Sequence, residues 1–152
     1  DIVFGDWSSD VCSSDLKQLR VPVIGNGDIT TPEACAAALS VYGIHAVMIG
    51  REAVRRPWNF QLIKNKRGNP DYAMEINLEE AGLAYCSYVT RLLPPAFHLS
   101  RIRRFFLYFC DNLKFGHHLR CAVQNAKTTE DIPALIHNYF KEVPEERIRH
   151  EH

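Results

Sequence analysis

Two short apolar runs, each closed by a glycine, constrain this chain more than any other feature. Val21 to Gly25 reads Val-Pro-Val-Ile-Gly, and Ile44 to Ile49 reads Ile-His-Ala-Val-Met-Ile before Gly50-Arg51. A β-branched run of this length that ends in glycine is the pattern of a buried parallel strand. Between the runs, Thr30, Thr31 and Pro32 precede Glu33, a helix start with proline near its first turn. Ala34, Ala37, Ala38, Leu39 and Val41 carry the helix to Gly43, which ends it. Parallel strands need a crossover, so strand, helix and strand within about thirty residues predict one right-handed βαβ unit.

Each predicted strand runs into a loop suited to an anion. In Gly25-Asn26-Gly27-Asp28 the glycines let backbone N–H groups approach without Cβ interference, and the helix that follows adds a favourable dipole. Gly50-Arg51 repeats the device and adds a guanidinium, a bidentate phosphate partner. In eight-stranded α/β barrels the loops after the last two strands commonly form a phosphate site. Either motif alone is weak, because such glycines often only make tight turns. The pair favours phosphate or a phosphorylated cofactor over plain turn chemistry.

The rest of the chain reads as helices. Pro57 to Lys64 is a short one, followed by a polar turn over Asn65 to Asp71. Leu78 to Leu92 is helical with apolar and aromatic residues at 78, 81, 85, 88, 89 and 92, and Pro94-Pro95 breaks it. Leu99 to Leu113 follows, with Ile102, Phe105, Phe106 and Phe109 on one side, then His117 to Ala126 after Gly116. Thr128 or Thr129 caps a last helix with Glu130 and Asp131 in its first turn. The expected fold class is α/β plus all-α, with the boundary near residues 65–76.

Composition narrows the function classes. With 152 residues, 46% hydrophobic and 24% charged, the chain suffices for one compact domain and is small for two. Its net charge of zero carries no information about a nucleic-acid partner. No apolar run approaches the ~18 residues of a membrane span and no secretory signal is visible, so no membrane is expected. The cysteines at 12, 35, 86, 110 and 121 show no CxxC pair. They read as reduced, buried thiols of a cytosolic protein, favoured over disulfides or metal. His117-His118 has no carboxylate or cysteine at ligand spacing, and no metal is expected there. Residues 6–16, Asp-Trp-Ser-Ser-Asp-Val-Cys-Ser-Ser-Asp-Leu, have neither helix nor strand period. They match, codon for codon, the translation of a common sequencing adapter. They are set aside from the fold as an artefactual leader, favoured over a polar loop, with natural sequence expected from Lys17.

Val-Ile-Gly-Asn-Gly-Asp-Ile, followed by Ala-Val-Met-Ile-Gly-Arg-x-Ala-x-x-x-Pro-Trp, resembles the end of the barrel of tRNA-dihydrouridine synthases, most of all the bacterial B type. The likeness is close over residues 21–63 and loose over 75–135. It implies the last two βα units of an FMN-binding TIM barrel over residues 17–66, then a helical tRNA-binding domain over 74–152, the chain being a C-terminal fragment with a leader at 1–16. It places Asn26, Gly27, Asp28, Gly50 and Arg51 on the FMN-binding motif. Glu52 departs from the family, which usually has glycine or alanine there. A carboxylate facing a phosphate loop is unfavourable, so Glu52 is expected to point outward. The family uses NADPH to reduce FMN and passes hydride to C6 of a uridine, while a cysteine in an Asn-x-Gly-Cys-Pro context protonates C5. That context is absent here, so no catalytic residue is assigned.

Residues 97–127 carry Arg101, Arg103, Arg104, Lys114, Arg120 and Lys127 against one acid, Asp111, with His98, His117 and His118 among them. Taken alone, such a strip is more often a solvated helix face beside an aromatic core. The resemblance turns the reading toward tRNA, with Arg101, Arg103, Arg104, Lys114 and Arg120 as the RNA-binding set. Phe105, Phe106, Tyr108 and Phe109 read as packing rather than base stacking, and Trp58 as an anchor of the last barrel helix. A monomer is expected for the full-length protein. The alternatives are another FMN- or phosphate-binding TIM-barrel oxidoreductase and a non-catalytic helical RNA-binding module. With the family's cysteine absent, the 152-residue chain alone is expected to form no dihydrouridine on unmodified tRNA; measurable turnover would sink that expectation. Two βα units cannot close a barrel and expose strand edges, so poor stability is also expected, against which cooperative unfolding of a soluble monomer would count.

Overall fold

The computed structural model describes residues 20–152. The leader at 1–16, the start at Lys17 and Cys12 lie outside the described residues. The first unit is strand β1 (Ile24–Asn26), helix α1 (Pro32–Tyr42) and strand β2 (Ala46–Met48). β1 and β2 pair in parallel, with Ile24 opposite Ala46, Gly25 opposite Val47 and Asn26 opposite Met48. Thr31 caps α1, its Oγ1 accepting from the Ala34 N–H at 3.1 Å, and Pro32 occupies the first turn. Gly43 closes the helix at φ 64°, in the left-handed region where glycine carries no Cβ penalty.

Both strands are shorter than their apolar runs, for a local reason. Pro22 has no N–H to give, and the Val23 N–H donates to His45 Nδ1 at 3.1 Å rather than to a ladder. The expectation of buried strands needs correcting. Gly25 is buried, but Ile24 is 66% and Met48 51% exposed, because each strand has one neighbour.

One helix was expected after β2, and there are two: α2 (Arg51–Arg55) and α3 (Asn59–Lys66). Arg56 leaves the helical region at φ −130° and ψ 79° because it precedes Pro57. The chain then forms β3 (Met74–Asn77), α4 (Leu78–Leu92), α5 (Pro95–Phe109), a 3₁₀ turn (Cys110–Asn112), α6 (Gly116–Asn125), α7 (Ile132–Glu142), a second 3₁₀ turn (Pro144–Glu146) and β4 (Ile148–Glu151). α4 matches its expected bounds, capped by Asn77, whose Oδ1 accepts from the Glu80 N–H. α5 starts four residues before the expected Leu99, since Pro95 is an accepted first-turn residue. α7 starts at Ile132. Glu130 and Asp131 precede it, and the Asp131 carboxylate accepts from the N–H and hydroxyl of Thr128. β3 and β4 pair antiparallel, Met74 with Glu151 and Asn77 with Ile148, a pairing that the sequence reading missed.

The core lies between α4, α5, α6 and α7. Ile102, Phe106, Phe109, Val123, Ile132, Ile136 and Phe140 are fully buried. Phe105 stacks on Tyr85 at 3.7 Å between centroids and on Phe109 at 4.9 Å, so these phenylalanines pack, as their spacing implied. Trp58 meets Phe109 edge-on at 6.4 Å, which ties the start of α3 to the helical core. Two glycines permit the close approaches. A Cβ on Gly82 would lie 3.3 Å from the Phe106 ring, and one on Gly116 would lie 2.0 Å from the Cys110 carbonyl oxygen.

Among the described residues the cysteines are free, and Cys35, Cys86 and Cys110 are buried. Cys121 is exposed, contrary to expectation, because it falls on the outer face of α6. Burial pushes the thiols of Cys86 and Cys110 from the ordinary 9.0 up to about 12. Between these values the folded chain holds protons that the unfolded chain has released, so the contribution of these two thiols is constant below pH 9 and stability should fall as pH rises above it. A denaturation midpoint that stays constant through that alkaline window would contradict this. Gly116→Ala should cost about 2 kcal/mol or more by chemical denaturation, since the clash is with backbone.

Candidate functional site

The loops that follow β1 and β2 face each other across a cleft of about 420 Å³ lined by Asn26, Gly27, Asp28, Ile29, Thr30, Met48, Gly50, Arg51, Glu52 and Arg55. All five residues expected to bind the cofactor therefore lie together. A second hollow of about 290 Å³ runs from Gly25 and Gly27 along the alanine face of α1 to Tyr42. Gly27 has φ 145° and Asp28 φ 28°, positive values that glycine adopts freely and an aspartate adopts under strain. Such strain gathers where a loop is shaped for contact rather than for its own stability.

Gly50 precedes α2 without a side-chain cap, and a Cβ built there would meet nothing within 4 Å. The loop is thus open on the cleft side. Arg51 Nη2 stands 3.9 Å from Asp28 Oδ1, with side chains 80% and 98% exposed. A pair this exposed contributes little and opens readily.

Glu52 does not point outward. It is 5% exposed, and its carboxylate accepts from Arg55 Nη1 at 3.2 Å and from Arg56 Nε. The expectation weighed a bare carboxylate against an anion; two guanidiniums offset its charge, so burial is tolerated. Arg55, which the sequence reading did not single out, also bonds Asp111 Oδ2 at 3.2 Å through Nη2. Its carbonyl accepts from Asn112 Nδ2 at 2.7 Å. Beneath the cleft, the Thr30 carbonyl accepts from Arg56 Nη2 at 2.7 Å and from Asn59 Nδ2 at 3.2 Å.

The basic strip divides. Arg101 and Arg104 are exposed on α5 with no carboxylate partner among the described residues. Lys114 is exposed, with Nζ 5.1 Å from the Phe115 ring centroid. Arg103 is turned inward. Its Nη2 donates to the Ala126 carbonyl at 2.7 Å, while its own carbonyl accepts from Gln124 Nε2 at 2.8 Å, so it fastens α5 to the end of α6. Arg120 pairs with Asp111. Position in the sequence strip did not distinguish these two, because the Ala126 carbonyl and Asp111 reach them only in three dimensions. The spacing around His117 also needs correction: Cys121 lies one helical turn on, with Sγ 3.4 Å from His117 Nε2.

Residues 14–143 match the sequence profile of dihydrouridine synthase (Dus). The chain belongs to the dihydrouridine synthase family. It is 35% identical over 88 residues to tRNA-dihydrouridine synthase B of Klebsiella pneumoniae, a stretch that is 58% of this chain and 27% of that protein. It is 34% identical over 88 residues, with the same coverage, to tRNA-dihydrouridine synthase B of Escherichia coli strain K12. It is 37% identical over 65 residues to that of Pseudomonas putida KT2440, covering 43% of this chain and 19% of that protein. The matched stretch thus spans about a quarter of the length of the first two relatives.

Arg103→Met should lower stability by about 1–2 kcal/mol, whereas Arg101→Ser and Arg104→Ser should leave the melting temperature unchanged. Equal shifts in all three variants would contradict this division.

Proposed function

We propose that this chain carries the phosphate-holding part of an FMN site in an enzyme that reduces uridine to 5,6-dihydrouridine in tRNA, with NADPH as reductant. The observation that carries the reading is the meeting of Asn26, Gly27, Asp28, Gly50 and Arg51 in one cleft beyond the ends of two parallel strands. Family membership supports it. The donor set suits a phosphate: Gly50 leaves its side of the cleft open, Gly27 brings backbone close, and Arg51 is exposed enough to swing from Asp28 onto an anion. The buried carboxylate of Glu52 is already matched by Arg55 and Arg56.

When bound, FMN supplies the hydride chemistry. The residues of this chain hold and orient. Arg51 would hold the phosphate, the Gly27 and Gly50 backbones would offer it N–H groups, and Asn26 and Asp28 would present polar groups at the end of β1. We assign the barrel end to residues 17–66, as the last two βα units of a TIM barrel, and the tRNA-binding part to residues 74–152. Within it, Arg101, Arg104 and Lys114 face tRNA phosphates, while Arg103 and Arg120 hold the scaffold that presents them. No helix among the described residues is long and apolar enough to cross a membrane. Reaction on a uridine in tRNA draws on the family's chemistry, whose proton-donating cysteine context this sequence lacks.

Flavin fluorescence quenching tests the site. FMN should bind more tightly than riboflavin, and Arg51→Ala should weaken FMN about tenfold while leaving riboflavin unaffected. Equal affinity for FMN and riboflavin would refute the phosphate assignment. For the tRNA surface, Arg101→Glu with Arg104→Glu should weaken tRNA binding and flatten its salt dependence by about one unit of slope per lost contact. An unchanged slope would remove these residues from the interface.

A further inference from the structure

We propose that Glu52 is a positioning residue, the near end of a charged relay Glu52–Arg56–Glu151 that couples the Gly50-Arg51 loop to the last strand of the helical part. The proposal rests on the phosphate reading of that loop for its consequence, but not for its geometry.

α2 has five residues, too few to hold a helical turn in place without tertiary anchors. Its N-terminal end is the Gly50-Arg51 loop, so whatever holds α2 sets where Arg51 starts from. Besides its packing on α5, its anchors are charged side chains. Glu52, 5% exposed, receives Arg55 Nη1 at 3.2 Å and Arg56 Nε. The Arg56 side chain is 17% exposed and spends each of its nitrogens on a different element. Nε goes to Glu52 on α2. Nη2 donates at 2.7 Å to the carbonyl of Thr30, in the loop that continues from Gly27-Asp28. Nη1 lies 3.6 Å from Glu151 Oε2 on β4. One guanidinium therefore touches α2, the loop after β1 and strand β4.

Glu151 is itself fixed. It is 8% exposed, and its Oε1 accepts from Arg149 Nε at 2.6 Å and from Trp58 Nε1 at 3.4 Å. β4 is paired to β3, and Trp58 packs on Phe109 of the helical core. The relay therefore runs from the core through Glu151 and Arg56 to the cofactor loop. A planar guanidinium with fixed donor directions transmits a placement that a lysine ammonium would not. Charges held this far from water are costly unless fully matched, so removing one leaves its partners to rearrange. The partners of Glu52 are Arg55, which lines the cleft, and Arg56, whose guanidinium also holds the Thr30 carbonyl of the facing loop.

The test is made on the full chain by amide hydrogen exchange together with flavin affinity. Glu151→Gln, remote in sequence from the loop, should raise exchange at residues 50–53 several-fold while the core amides of Phe106, Val123 and Ile136 keep their protection. Glu52→Gln should do the same more strongly, and Arg56→Lys, which keeps the charge, should fail to rescue. FMN affinity should fall about threefold or more in each variant, with riboflavin unchanged. Wild-type exchange at 50–53 in Glu151→Gln, or a uniform loss of protection that includes the core, would overturn the relay. If the wild-type chain binds no FMN, the flavin reading fails while the exchange result still decides the relay.

Discussion

The arrangement depends on the burial of one face of α5. Ile102, Phe105, Phe106 and Phe109 lie at most 2% exposed, and each neighbouring element is placed by what it puts against them. α4 comes close through Gly82 and stacks Tyr85 on Phe105. Trp58 covers Phe109 from outside the bundle. Large aromatic faces carry much of a small core's burial energy, and their edge-to-face geometry fixes orientation as well as proximity. The loops that line the cleft are not in this core, yet they are tied to it through Trp58 and the α2–α5 contact.

Where the apolar contact stops, charge takes over. Glu52, Arg55, Arg56, Asp111, Arg120, Arg149 and Glu151 form a nearly continuous set of ion pairs that joins α2 and its C-terminal cap to the 3₁₀ turn after α5, to α6 and to β4. Such a seam is weak evidence for stability, since desolvation offsets much of the attraction. Its directional hydrogen bonds do confer definition. They fix α2, at the edge of the cleft, against β4 and the turn after α5.

Much of the local structure was legible because it rests on neighbours in sequence. Thr31, Pro32 and Gly43 mark α1 through backbone chemistry alone, and Asn77 does the same for α4. The spacing of Phe105, Phe106 and Phe109 showed a buried face, and the glycine-ended strands showed a shared cleft. What stayed hidden depends on partners far along the chain. β3 and β4 are four residues each, and the Ile-Arg-His-Glu of β4 has no strand signature; its pairing partner lies more than seventy residues earlier. Glu52 was expected to face outward because the guanidiniums that take it inward were not weighed with it. Arg103 and Arg120 look identical to Arg101 and Arg104 until the Ala126 carbonyl and Asp111 arrive beside them.

The exposed pair between Asp28 and Arg51 has a consequence for how such a cleft discriminates. Under the phosphate reading proposed above, Asp28 is a resident but weak competitor: a pair this exposed yields Arg51 readily to an incoming anion. On the same reading a singly charged, monodentate anion would gain little by that exchange, whereas a dianionic phosphate that also engaged the Gly27 and Gly50 backbones would gain on several contacts at once. Salt screens this pair as it would screen an incoming anion, so ionic strength loosens Arg51 from Asp28 and weakens its hold on any anion together.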